Sequence, residues 1–450
     1  MNRSYLSQPV ATVLLLLLAV YSVLNALDYG NKWAGMDFYQ FWAVGQAVKS
    51  MDISNIYADP DRTRIATEMA RRGAIDSNAS RHHSVAERRP VLETYSSPLL
   101  YTFLGLFGFG TYETAFQIYR VFSLVCGLLA VAAFCRLLCY STVETLAVIA
   151  LLTGWFEPFF CELRVLNVNL LQLGFLAMLC WMLSNQCSEW REISIGFLMG
   201  FLVMFKLNTL FIGTTLFFWY AFQRLFGKVL RMAVGAFAAV LFCGAISAWF
   251  FGSVEPWVDW VGAVVSLPDE IITPRHGNYS LSIVVADLTG VDVSMFVLPL
   301  FFLLSVIFLW IICHGHTYND DTPTPGAEHD VMIVGLGCLV YLIAARLVWL
   351  HYYLLSIPSI LSLLRLYANS PRRESCRLNL RMLLLVVAVV LVSLNPLLTI
   401  LKLRTDIPAS VMCVAATLVL FSLTLYELWR WGRIRQSSER SGHHAHIAVY

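Results

Sequence analysis

Twelve apolar stretches, separated by polar breaks, dominate the chain. They lie near residues 9–27, 112–138, 141–158, 166–184, 192–205, 207–223, 229–251, 292–313, 331–346, 350–367, 381–401 and 409–429. Most approach the roughly 20 residues that a helix needs to cross a hydrocarbon core of about 30 Å. In such a core every backbone polar group must be satisfied within its own segment, so runs of this kind predict helices. The expected fold is an all-α polytopic membrane protein of about twelve transmembrane helices. The segments at 192–205 and 207–223 are short, and Lys206 stands between them. The first run, Val10 to about Leu27, exceeds the roughly 7–15 apolar residues of a secretory signal. It is read as an uncleaved first span.

Two breaks are long enough to hold structure of their own, 28–97 and 252–291. In the first, "DFYQFWAVGQAVKS" brings Phe38, Phe41, Trp42 and Val48 near one helical face, the pattern of a helix lying in the membrane interface. "DPDRTRIATEMARRG" predicts a surface helix capped near Asp59. In the second break, "EPWVDWVGAVVSLP" predicts a short apolar helix. The expected organisation is one transmembrane domain over 1–430, with these two loops on its outer side, and a tail over 431–450.

Composition agrees with this class. The chain has 450 residues, is 58% hydrophobic and 13% charged, and has a mean hydropathy of +0.68. Average soluble domains carry roughly 25% charged residues. The net charge of +2 lacks the concentrated basic surface that nucleic acid needs. The eleven cysteines are scattered and lie mostly within apolar runs, as small packing residues do. Arg and Lys collect on one side: Arg3, then Arg224, Lys228 and Arg231, then Arg365 through Arg381, then Arg430 through Arg440. This bias puts both termini in the cytoplasm.

Polar residues near the membrane then fall at the opposite, outer level. They are Asp37, Glu157, Glu162, Arg164, Asn167, Asn169, Lys206, Arg275, His276, Asn278, Arg346 and His351. Ionisable groups at membrane depth are costly and usually face a cavity or each other. A wet cleft at the outer interface accounts for them. A transporter or flippase would instead place charges along a path through the spans. A non-catalytic partner in envelope assembly is the other alternative.

The order of short motifs resembles glycosyltransferase family 87, the polyprenol-phosphate-sugar-dependent, mannosyltransferase-like proteins of the GT-C class. Along residues 9–365 come a first span, "DFYQFW", "NIYADP", "YSSPLL", "LNVN", "FKLN", "GNYSL" and "LVWLHYYLLSIP". The family's acidic residue falls on Asp37 and its Tyr-Pro-Pro entry on Tyr95 to Pro98. Its Gly-Gln-x-Asn falls on Leu166 to Asn169, with Leu for Gly and Asn167 for Gln. Its Lys-x-x-Pro falls on Lys206 to Thr209, without the Pro. Its Asn-x-Ser falls on Asn278 to Ser280, and its Ser-Trp-x-His-His-like stretch on Leu347 to Tyr352, with Trp349 and His351 kept and Tyr352 for the second His.

The resemblance implies a GT-C-like fold in a bacterial cytoplasmic membrane. It also implies inverting transfer of a hexose, mannose by family, from a polyprenyl-phosphate sugar to a glycolipid or glycan acceptor at the outer face. Within that chemistry Asp37 suits the general base, with His351 as the other candidate. Lys206, Arg346, Arg164 and Arg275 are candidates to hold the donor phosphate. Asn167, Asn169, Asn278 and Tyr95 are candidates to bind sugar or acceptor. No Asp-x-Asp or metal-ligand cluster stands near Asp37 in the sequence, and a divalent ion is not required by this reading. Its partners are membrane lipid, the lipid-linked donor and the acceptor, and no nucleic acid.

Overall fold

Helix falls on every one of the twelve apolar segments. The computed structural model describes residues 7–51, 53, 55–75, 80–185, 188–267, 277–314, 326–369, 375–400 and 409–440, and among them there is no strand. The first span is α1 (Ser7–Asn31). The loop that follows contains α2 (Met36–Ser50), α3 (Asp59–Ile75), α4 (Arg81–Glu87) and α5 (Pro98–Leu104). Then come α6 (Tyr112–Leu137), α7 (Thr142–Trp155), α8 (Glu157–Val165), α9 (Asn169–Ser184), α10 (Glu189–Phe205), α11 (Leu210–Phe222) and α12 (Phe226–Phe251). The second loop holds α13 (Glu255–Val265) and α14 (Leu281–Thr289). The remainder is α15 (Ser294–His314), α16 (Ala327–Ala344), α17 (Ile357–Asn369), α18 (Ser375–Ile400) and α19 (Ala409–Arg440).

Length and apolarity sufficient to cross a membrane are met by six described helices: α1, α6, α12, α15, α16 and α19. They reach seven if α7 and α8, bent by 61° at Phe156, form one broken span. Shorter apolar helices account for Asn169–Ser184, Leu207–Phe222 and Leu380–Ser393. The difference from twelve has a geometric cause. At 1.5 Å per residue, the 16 residues of α9 rise only about 24 Å, short of a hydrocarbon core of about 30 Å.

Two apolar cores organise the chain. The larger surrounds α16, which is buried all along its length and packs on α9, α11, α15, α17 and α19. The smaller is made by the first outer loop. Phe38, Tyr39, Phe41 and Trp42 of α2 pack with Ile56, Leu92, Leu100, Tyr112 and Phe116. The apolar face of α2 is therefore covered by protein. The helix is buried on nearly every side, because α3, α4, α5 and α6 close over the face that sequence pattern assigns to lipid. Its N-cap is Gly35, in a left-handed conformation (φ 68°), and Asp37 lies in the first turn instead of at the cap. The α13 helix does keep an outward apolar stripe of Val254, Val258, Val261 and Val265.

α10 and α12 pack backbone against backbone. A Cβ on Gly196 would lie 1.9 Å from the Met232 carbonyl oxygen, and one on Gly235 would lie 1.9 Å from that of Ile193. Only glycine permits this approach. It pins the end of α10, and with it Lys206, while the opposite face of α12 (Val234, Phe237, Leu241, Trp249) stays exposed to the surroundings.

Candidate active site

The turn between α8 and α9 lies where the two cores meet: Leu163 and Leu170 pack in the larger, Leu166, Val168 and Leu171 in the smaller. The turn depends on Leu166, which takes the left-handed conformation at φ 52°, ψ 57°. A residue with a Cβ is strained there, which explains the glycine of the similar motif. Here the strain is held by the Leu166 N–H donating to the Glu162 carbonyl at 2.7 Å and by complete burial of the leucine side chain. The result is that Asn167 and Asn169 both project toward Lys206.

A closed polar network follows. The Asn167 Oδ1 accepts from Lys206 Nζ at 3.2 Å and from the Val168 N–H at 2.8 Å. This fixes the orientation of its amide, so Nδ2 donates to Asp37 Oδ2 at 2.7 Å. Lys206 also donates to Asn169 Oδ1 at 2.7 Å, and its ammonium lies 4.1 Å from the centre of the Tyr352 ring. Asn169 in turn donates from its side chain and backbone to the two oxygens of Glu162, at 2.7 and 2.9 Å. Two carboxylates and one ammonium are thereby joined through two amides.

Asp37 opens on a cavity of about 480 Å³. His351, Trp349, Tyr352 and Tyr279 line one side of it, and Arg89, Glu93, Tyr95 and Ser96 another, with Cys161, Arg164 and Asn167 also in the wall. His351 Nε2 stands 4.0 Å from Asp37 Oδ2. That is too far for a hydrogen bond, and the buried nitrogen has no hydrogen-bond partner among the described residues. The carboxylate and the imidazole thus face each other 4.0 Å apart, and a hydroxyl oxygen beside them, off the line that joins the two atoms, lies within hydrogen-bond distance of both.

The expected site residues divide accordingly. Asp37, His351, Arg164, Asn167 and Tyr95 line the cavity. Lys206 and Asn169 sit behind that wall, Lys206 bonded to Asn167 and Asn169 to Lys206. Asn278 clips two loops together: its Nδ2 donates to the Arg346 carbonyl at 2.9 Å, and its Oδ1 accepts from the Val348 and Ser280 N–H groups at 3.0 and 3.1 Å. It thereby positions Trp349 and His351. Arg346 contributes its carbonyl to this clip, while Leu347, not Arg346, lines the cavity. Arg275 lies outside the described residues. Arg89 and Glu93 are the cavity residues that sequence reading missed. In "ERRPVLE" they look like ordinary solvated loop charges.

Electrostatics differ across the network. Burial raises the Asp37 carboxyl above its usual range, against the opposing effects of the Asn167 hydrogen bond and the Arg89 and Lys206 charges. Burial pushes the Lys206 ammonium down to about 8, against the pull of Glu162 and Asp37. If Asp37 works ionised and Lys206 works charged, activity rises as pH climbs through the elevated Asp37 pKa and falls as pH climbs through the lowered Lys206 pKa. The expected pH–rate profile is a bell. Lys206→Arg is expected to remove the alkaline limb, since a guanidinium stays charged to about pH 12 and beyond. An alkaline limb unchanged in that variant would assign it to another group.

A sequence model of glycosyltransferase family 87 matches residues 94–342. The match covers more than half of the chain, and the protein belongs to that family. It includes Glu162, Arg164, Asn167, Asn169, Lys206 and Asn278, and leaves Asp37, Arg89 and His351 outside. No curated protein matches the chain, and no solved structure does.

Proposed function

We propose that this membrane glycosyltransferase moves a sugar, mannose by the family resemblance, from a polyprenyl phosphate to a lipid or glycan acceptor. The proposed setting is the outer face of a bacterial cytoplasmic membrane, on a GT-C-like fold with both termini cytoplasmic. The observation that carries the reading is the juxtaposition of Asp37 and His351 across a 4.0 Å gap in the cavity wall.

In the proposed reaction an acceptor hydroxyl bridges the two side chains from the cavity. Its oxygen attacks the anomeric carbon as the O–H proton passes to the Asp37 carboxylate. The bond from the anomeric carbon to the phosphate oxygen breaks on the opposite face, with inversion, and polyprenyl phosphate leaves with the bonding pair. Elevation of the Asp37 pKa by burial makes it a stronger base than a solvated carboxylate. His351, held by the turn over 350–356, orients the hydroxyl from the other side. No step is routed through a metal ion.

The test is transfer of radiolabelled sugar in membranes containing the protein, from a panel of polyprenyl-phosphate mannose, glucose, galactose and arabinose. Lipid- or glycan-linked label dependent on one of these donors is the expected result. Label from nucleotide sugars alone, with no lipid-linked donor used, would overturn the donor class.

A further inference from the structure

The cations near Asp37 are not equivalent. Lys206 is engaged with two amides behind the cavity wall. The Arg164 guanidinium donates to Cys161 Sγ at 3.3 Å and lies 5.5 Å from the centre of the Trp33 ring. Arg89 lines the cavity, pairs through Nη1 with Glu93, and keeps a buried Nε that has no hydrogen-bond partner among the described residues. A buried guanidinium donor without an acceptor is unfavourable and rare in folded proteins. Its side chain is only 15% exposed, while that of Glu93 is 42% exposed.

The strap that carries Arg89 is fixed at several points. The Arg89 N–H donates to the Ala86 carbonyl at the end of α4, at 3.1 Å. Arg62 Nε donates to the Leu92 carbonyl at 2.8 Å, and Trp260 Nε1 to that of Tyr95 at 3.1 Å. The Tyr57 hydroxyl donates to the Ser96 carbonyl at 2.5 Å. Arg89 is thus held in a wall tied down by these hydrogen bonds, with a half-exposed carboxylate as its present counter-ion.

We propose that Arg89 is the anion subsite of the cavity, taking the phosphate of the lipid-linked donor, and that Glu93 is the placeholder which that phosphate displaces. This rests on the donor class proposed above. The donor phosphodiester carries one negative charge and the departing monoester gains a second, so a fixed guanidinium at this position stabilises the transition state more than the bound donor. Planar, paired N–H groups suit phosphate oxygens; Nε and Nη2 form one edge of the guanidinium, and displacement of Glu93 frees Nη1 on the other.

Binding of a 15-carbon polyprenyl phosphate to the full-length protein in lipid nanodiscs tests this without requiring turnover. Inorganic phosphate and the neutral 15-carbon polyprenol serve as separate probes. Expected results are a loss of about tenfold or more in polyprenyl phosphate affinity for Arg89→Gln, less loss for Arg89→Lys, and no change in polyprenol affinity. Glu93→Gln is expected to tighten polyprenyl phosphate binding, and it reads the same subsite if Arg89→Gln fails to fold. Inorganic phosphate competing at the wild-type site and not in Arg89→Gln supports the same assignment. Polyprenyl phosphate affinity within twofold of wild type in Arg89→Gln, or weakened by Glu93→Gln, would overturn the Arg89 assignment and leave the donor class standing. A wild-type protein that binds polyprenol and polyprenyl phosphate equally would overturn both.

Discussion

Asp37→Asn is expected to lower the rate of transfer by about 10²- to 10⁴-fold, the usual contribution of a positioned general base, with donor binding within a few fold of wild type. The substitution keeps the size of the side chain and an oxygen able to accept from Asn167 Nδ2, which now donates at 2.7 Å. What it removes is the capacity to take a proton. The loss should therefore appear in kcat and in single-turnover rate, and not in donor affinity. His351→Gln provides the comparison, since the imidazole faces the same gap at 4.0 Å. If Asp37→Asn turned over normally while His351→Gln did not, the base would be His351 and Asp37 its orienting partner. A drop in donor affinity matching the drop in kcat would make Asp37 a binding residue.

Lys206→Met comes second in expected size, with kcat reduced about 100-fold. The side chain does not line the cavity, so its loss acts through Asn167. Without Lys206 the Asn167 amide loses one of the two donors that fix it, and rotation of that amide would turn its oxygen toward Asp37. A carboxylate displaced by about an ångström from its productive position loses rate of this order. Stability should suffer as well, by about 2 kcal/mol, because Glu162 and Asp37 lose a shared charge-assisted donor system. Thermal unfolding in detergent beside single-turnover kinetics separates the two effects. Lys206→Arg, which restores the charge, is expected to recover much of the stability. Unchanged kcat in a destabilised Lys206→Met protein would reduce Lys206 to a structural role.

Much of this site is legible as a list of residues and little of it as an arrangement. Asp37 after the first span, the Asn167 and Asn169 pair, Lys206 between two short apolar helices and His351 all stand out, because a polar group beside an apolar run is conspicuous at one position. Their convergence is not visible locally: 130 residues separate Asp37 from Asn167. Arg89 and Glu93 gave no signal at all, since a charged loop that lines a cavity reads the same as one that faces solvent. Asn278 reads as a ligand-binding amide and is committed to the backbone of 346–348.

The chain by itself determined what depends on local periodicity and transfer from water. That comprises helices on the apolar segments, a membrane class, a structured loop after the first span and polar residues gathered near the ends of the spans. Tertiary structure decided what depends on contacts between distant segments. It decided that α2 is enclosed by α3 to α6, that several apolar helices are shorter than a membrane core requires, and that Lys206 stands behind the cavity while Arg89 stands in its wall. The physical reason is that an apolar side chain gains by leaving water whichever neighbour receives it, whereas a hydrogen bond or an ion pair exists only between particular atoms at a particular distance and angle.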